Sequence, residues 1–425
     1  MLRKGSTILV VLLVATARAN DLPGTEFWDL QAQIAESFKK QDYPAALEQL
    51  KKSDALVPNR PSSVLRMARA HARLHENDAA MTLLNRLRDM QTYFDLAHDP
   101  AFVDLQKTPG FENLVSSMEK VSESRVTAAT VAFKIPDTTF FPEGIAYDTH
   151  TGDVFVASMR KRKIVRITPT GTITDFITPH HDNIWGISGI GIDAAHNTLW
   201  ACSTAYEVSE EYSPTDRDAA AFAFDLASGK LKAHYPFHQQ GEKHFCDGVV
   251  IASDGTVFVA DSQGMALLKI SPGAKELETL LPESAGISPQ GMAVSADGKT
   301  LFFSDYMSGL YALNLKTKQV SRLESKAKAS LAGIDGLIGY GNDLIAIQNG
   351  ILPNRVVRLK MGPSQKEVLD VQVLEMNHPL FGEPTLGVIK GNMLLLVANN
   401  PISKFLDDHQ LSDLPTPVIL QRDLR

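Results

Sequence analysis

The chain has 425 residues, of which 44% are hydrophobic and 21% charged, the balance of a soluble globular protein with more than one core. Its formal charge of −7 excludes the broad basic face that a phosphate backbone requires, so nucleic acid is not an expected partner. Mild acidity selects no other partner.

Arg3 and Lys4 precede an apolar run from Ile8 to Ala15, and Ala17-Arg18-Ala19 supplies a small-x-small cleavage site. This is the pattern of a signal peptide over 1–19. The apolar run is too short for a bilayer span of about 20 residues, and no cysteine sits at the cleavage point. The mature protein is therefore expected to be periplasmic or secreted, with no stable membrane insertion.

Over 24–125 the apolar pattern has the helical period. Phe27, Leu30, Ile34 and Phe38 share one helix face. A second helix opens at Ala45-Ala46-Leu47, and Asp78-Ala79-Ala80 repeats its pattern at the 34-residue tetratricopeptide period, in which a small residue lets antiparallel helices approach closely. The segment resembles a tetratricopeptide pair, with Trp28 near a position where that family carries one. Phe94 to Met118, interrupted by Pro100 and Pro109, reads as a capping helix pair. Such repeats present a surface for a protein partner, or serve as a cap on the next domain.

From 130 to 425 the texture changes to short β-branched and aromatic runs punctuated by glycine. One phrase recurs at Glu143-Gly144, Ser188-Gly189, Asp247-Gly248, Gln290-Gly291, Asp335-Gly336 and Leu386-Gly387, each followed by a turn and a second apolar strand. The glycines stand about 43 to 59 residues apart, the length of one four-stranded blade. The fold class is thus an all-β six-bladed propeller preceded by a small α-helical domain. Each glycine opens an innermost strand, where backbone approaches backbone and a Cβ is unwelcome. The residue before it is expected at the mouth of the central channel, with loops near Ser158, Ser203, Asp261, Asp305, Gln348 and Asn399 on the same face. The two cysteines, Cys202 and Cys246, fall in adjacent blades. They are read as two buried apolar side chains, with a bridge as the alternative.

The axial ring then holds three carboxylates, Glu143, Asp247 and Asp335, beside the amide of Gln290. Converging like charges must protonate or bind a cation, and hard oxygen donors suit Ca²⁺ or another divalent ion. At these phrases the sequence resembles the senescence-marker-protein/gluconolactonase/luciferin-regenerating family of six-bladed propellers, from about Phe140 to Ala398. Glu143 matches the family's Glu-Gly phrase, and Ile334-Asp335-Gly336 matches its Pro-Asp-Gly. Cys246-Asp247-Gly248 stands where the family has Asn-Asp-Gly, and Pro289-Gln290-Gly291 where it has Pro-Asn-Gly, so two of four ligand positions differ. The resemblance implies metal-assisted hydrolysis of a small lactone or ester, with Glu143, Asp247, Gln290 and Asp335 as ligands and Asp335 or Glu143 taking the proton.

Ser188, Trp185, His181, His244, Asp305 and Asn349 are the candidate pocket residues, the histidines because their loops open on the axis face. The loop from Glu207 to Asp218 is either a lid or a solvated excursion, and the basic run Arg160 to Lys163 reads as wet surface. Two functions follow. One is an exported, metal-dependent hydrolase of a small lactone or ester. The other is a non-catalytic propeller that binds a small ligand or a protein partner, with the helical repeats as a second surface.

Overall fold

The computed structural model describes residues 24–237 and 243–425. The signal peptide expected over 1–19 lies outside the described residues, among which no helix is long and apolar enough to cross a membrane.

The described residues open with four helices in two hairpins: α1 (Gly24–Lys39), α2 (Tyr43–Leu56), α3 (Pro61–Arg73) and α4 (Asn77–Asp89). Phe27, Leu30 and Ile34 of α1 are buried. Gln41 takes a left-handed φ of 58° to end the first helix. The Asp42 carboxylate then accepts from Ala45 N–H at 3.1 Å, capping α2 two residues ahead of Pro44. Ala46 and Ala80, the small residues of the repeated phrase, are both fully buried in one core. The capping helix pair expected after α4 is instead two short 3₁₀ turns, Pro100–Phe102 and Asp104–Lys107, and a single helix α5 (Phe111–Glu123). Prolines 100 and 109 explain the difference, because each falls where a preceding helix would need a backbone N–H.

The helical segment is tied to the propeller at several points. Trp28 Nε1 donates to the Gly286 carbonyl at 3.0 Å. Tyr93 N–H donates to the Leu352 carbonyl at 2.7 Å. Arg355, buried in blade 5, donates to the Gln91 carbonyl at 3.3 Å.

Six sheets follow, one per blade. Their innermost strands are Pro142–Tyr147, Gly186–Asp193, Cys246–Ile251, Pro289–Val294, Ile334–Tyr340 and Gly387–Lys390. The ring closes by chain exchange: Thr130–Lys134 pairs with Val418–Asp423, so the first strand of the β segment completes the last blade. Each second strand is buried almost throughout, as in Val154–Ser158 and Val257–Asp261. Sheet packs on both of their faces, which is why they read as continuous apolar runs.

The glycine phrase has a clear cause in the geometry. In the first five blades the ladder slips at that point, between Pro142 and Ile145, Ile187 and Ile190, Cys246 and Gly248, Pro289 and Met292, and Ile334 and Gly336. A bulge of this kind re-aims the side chain it carries. The glycine meets the neighbouring blade: a Cβ on Gly291 would lie 2.4 Å from the Asp335 carbonyl oxygen. In the sixth blade the slip falls just before Gly387: Val397 N–H donates to the Leu386 carbonyl at 2.9 Å while the Val397 carbonyl accepts from Thr385 N–H at 3.3 Å.

Cys202 and Cys246 are joined across blades 2 and 3, with Cα atoms 5.1 Å apart. This corrects the reading of two free buried thiols. The residues lie on adjoining strands that face one core, a proximity set by blade packing and not by spacing. The basic run also departs from expectation. Arg162 is buried with its guanidinium 4.0 Å from the Trp185 ring centroid, and Lys161 pairs with Glu210 at 2.6 Å. Arg160 donates to the Val208 carbonyl, and Ser209 Oγ to that of Met159. The 207–218 loop is thereby fastened to blade 1.

Candidate active site on the propeller axis

The bulges deliver Glu143, Ser188, Asp247, Gln290 and Asp335 to one cavity of about 290 Å³ at the mouth of the channel. Leu386, the sixth residue of the phrase, lines the narrower channel beneath it. Glu383 and Thr385, from the segment just before it, line the mouth instead.

A second ring of contacts comes from the ends of the second strands. Ser158, Ser203, Asp261, Asp305, Gln348 and Asn399 are all buried; the first five bond backbone beside their own innermost strand or the adjoining turn, and Asn399 bonds Thr416 and Val418 where the closing strand begins. Asp305 shows the pattern: its carboxylate accepts from the N–H groups of Ser288, Met307 and Ser308 at 2.6–2.8 Å. It is therefore a structural acceptor within blade 4, not a pocket residue as expected. The next residue along faces the axis, because side chains alternate at a strand end. Met159, Ser262, Tyr306, Asn349 and Asn400 all line the cavity.

Of the other expected pocket residues, Asn349 and Ser188 line the cavity. The Ser188 hydroxyl is bonded to the Cys246 carbonyl. Trp185, His181 and His244 do not line it. Trp185 Nε1 bonds Asp218 at 3.2 Å while Arg162 covers its ring. His181 pairs with its neighbour Asp182 at 3.0 Å on an outer turn. His244 bonds Asp261 through Nδ1 at 2.5 Å and meets the Phe237 ring edge-on. Phe245 takes the cavity position one residue later.

Among the described residues, every charged side chain lining the cavity is acidic: Glu143, Asp247, Asp335 and Glu383. Burial, followed by the charges of Asp335, Asp247 and Glu383, holds the Glu143 carboxyl well above the usual carboxylate range; Asn400 opposes this by donating to it. Burial and the Asp247 charge push Asp335 up to about 7, against a 2.6 Å hydrogen bond from Asn349 Nδ2. Asp247 rises to about 6, mainly by burial. Tyr306 donates to Asn349 Oδ1 at 2.7 Å, so Tyr306, Asn349 and Asp335 form one hydrogen-bonded chain.

The donors suit a hard cation in kind. They are all oxygens, and Gln290 Oε1 is buried without a hydrogen-bond partner among the described residues, an acceptor that an ion or a proton donor would satisfy. They do not form a closed cluster: among the described residues no three of His, Cys, Asp and Glu are grouped so as to hold an ion.

No family model matches the chain. One curated relative, virginiamycin B lyase of Nocardia farcinica, is 43% identical over 58 residues, which is 14% of this chain and 20% of the relative. The chain thus matches about a fifth of that relative's length. Similar solved structures include regucalcin of Agrobacterium tumefaciens, described as a calcium-binding protein, at 15% identity and TM-score 0.49 over 70% of this chain and 95% of that one. A gluconolactonase of Xanthomonas campestris aligns at 14% identity and TM-score 0.47, over 71% and 97%. These neighbours are of the group that the axial phrases resemble. Likenesses at this level carry no residue roles and no reaction.

Proposed function

We propose that the axial cavity is the active site of a hydrolase- or lyase-type reaction on a small ester or lactone, with Glu143 and Asp335 exchanging the proton. The observation that carries this reading is the pairing of two carboxyls in one cavity, each raised by burial and by the other acids around it. A carboxyl near 7 is partly ionised at neutral pH and serves as a base, while burial and the surrounding acids favour the protonated form of Glu143, which serves as an acid. In hydrolysis, Asp335 takes a proton from water as the water oxygen bonds the carbonyl carbon. Glu143 hydrogen-bonds the carbonyl oxygen, and the proton is returned to the departing oxygen as the C–O bond breaks. The stretch shared with virginiamycin B lyase keeps elimination beside hydrolysis, with the base taking a carbon-bound proton instead.

A divalent cation of the calcium type would be held by oxygens of Glu143, Asp247, Gln290 and Asp335. When bound it would supply carbonyl polarisation. Export is supported by the Cys202–Cys246 bridge, which persists in oxidising compartments, and by the leader-like pattern over 1–19.

The test is turnover of a lactone and ester panel by the wild type, Glu143→Gln and Asp335→Asn, each with chelator and with added Ca²⁺. Each variant is expected to lose at least about 100-fold in kcat/KM while remaining folded. Two fully active variants would overturn the reading. Oxygen from labelled water appears in the product of hydrolysis and not of elimination.

A further inference from the structure

Tyr306 and Asn349 line the axial cavity and also a second one, of about 650 Å³, between the helical segment and blades 4 and 5. The two spaces adjoin across this hydrogen-bonded pair. The axial cavity alone is at the small end for a ligand site, and the second is in the middle of the range.

The second cavity is a groove with apolar walls. Tyr93 and Phe94, from the loop after α4, face Met307, Ile351 and Leu352. Its shape is held by the 2.7 Å bond from Tyr93 N–H to the Leu352 carbonyl. Leu352 keeps 55% of its surface exposed, an uncovered large apolar side chain at the rim. The charged groups at the edges are engaged elsewhere. Arg60 donates to Gln31 at 2.7 Å and lies 5.5 Å from the Phe27 ring, and Asp95 bonds His98 at 2.9 Å. Neither offers a free charge to a ligand in the groove.

We propose that this groove receives the aliphatic tail of the substrate whose carbonyl group sits in the axial cavity, which makes the substrate class medium-chain esters or alkyl-substituted lactones, not sugar-like ones. The proposal rests on the reading of the axial cavity given above. The shared wall argues for a tail and against a separate ligand: Tyr306 and Asn349 line both spaces, so a chain leaving the carbonyl past Tyr306 has apolar walls on its far side. It also gives the helical segment a role, since that segment contributes one side of the groove.

The experiment has two arms, both on the full chain. In the first, kcat/KM is measured for a homologous ester series from acetyl to decanoyl. It is expected to rise about 3- to 4-fold per added methylene over the middle of the series, corresponding to about 0.8 kcal/mol each. Leu352→Glu should lower the octanoyl-to-acetyl ratio at least tenfold, and Leu352→Met should keep it. In the second, calorimetry measures binding of non-hydrolysable lactams with the same tails. Lactam affinity that rises with tail length and falls in Leu352→Glu, without any ester turnover, leaves the groove standing and removes the chemistry. Ester turnover with no dependence on chain length overturns the groove and leaves the chemistry. A flat lactam series, or an unchanged ratio in a folded Leu352→Glu, likewise overturns the groove.

Discussion

Replacing Asp335 by Asn should stabilise the protein at pH 8 while abolishing turnover. The carboxyl is raised from 3.8 to about 7 in the folded chain, a shift of about 3 units that corresponds to about 4 kcal/mol at about 1.4 kcal/mol per unit. The sign follows from proton counts. Between those two values the folded state holds a proton that the unfolded state has released, so stability falls as pH rises through that window and is lowest above it. From pH 5 to pH 8 the wild type thus loses about 3 kcal/mol from this one group; water in the cavity reduces this to about 1–2. Asparagine has the same shape, carries no charge, and can still accept the bond from Asn349. It also relieves Glu143, which the Asp335 charge helps to raise. Urea unfolding in chelator at pH 5 and pH 8 measures the effect. The advantage of Asp335→Asn over wild type should grow by about 1–2 kcal/mol across that interval. An advantage that is absent, or equal at both pH values, would refute the claim that converging buried acids dominate this site.

Three further outcomes follow from the same structure. If a divalent ion is held by the axial oxygens, added Ca²⁺ should raise Tm more at pH 8 than at pH 5, because at pH 5 it must displace protons from Asp335, Asp247 and Glu143; a shift independent of pH would exclude these ligands. Removing the 44-residue Cys202–Cys246 link with a double alanine variant should cost about 2–4 kcal/mol, and the variant's unfolding midpoint should then ignore reductant. Asp305→Ala leaves three backbone N–H groups without their acceptor and should cost about 2–3 kcal/mol, while kcat/KM per folded molecule stays within about twofold; a selective loss of turnover would return Asp305 to the site.

The axial acids were legible in the sequence because the constraint that gathers them is also written there. A backbone that must pass close to its neighbour demands glycine, and a glycine at each blade's entry marks the bulge that turns the preceding side chain inward. The second ring was missed by one position. Asp305, Gln348 and Asn399 look like site residues because they are polar at the end of an apolar strand, yet that polarity serves backbone, beside the blade's entry for Asp305 and Gln348 and at the closing strand for Asn399. Strand alternation, applied one residue further, places Tyr306, Asn349 and Asn400 at the cavity. His244 failed for the same reason in reverse, since its neighbour Phe245 holds the inward position.

Glu383 had no such signal. It reaches the cavity from the segment before Gly387, while Leu386 lines the channel beneath. That break in the sixfold pattern has a chemical consequence. With Leu386 in the ring the acids would number three; with Glu383 they number four, and its charge helps to raise both Glu143 and Asp335. The irregular blade is thus a cause of the perturbed pair. Glu383→Gln should lower the apparent pKa governing kcat/KM for any substrate the wild type turns over, because the charge opposing ionisation of Asp335 and Glu143 is gone. A pH profile that does not move would separate Glu383 from the pair and leave Asp247 as the acid that perturbs it.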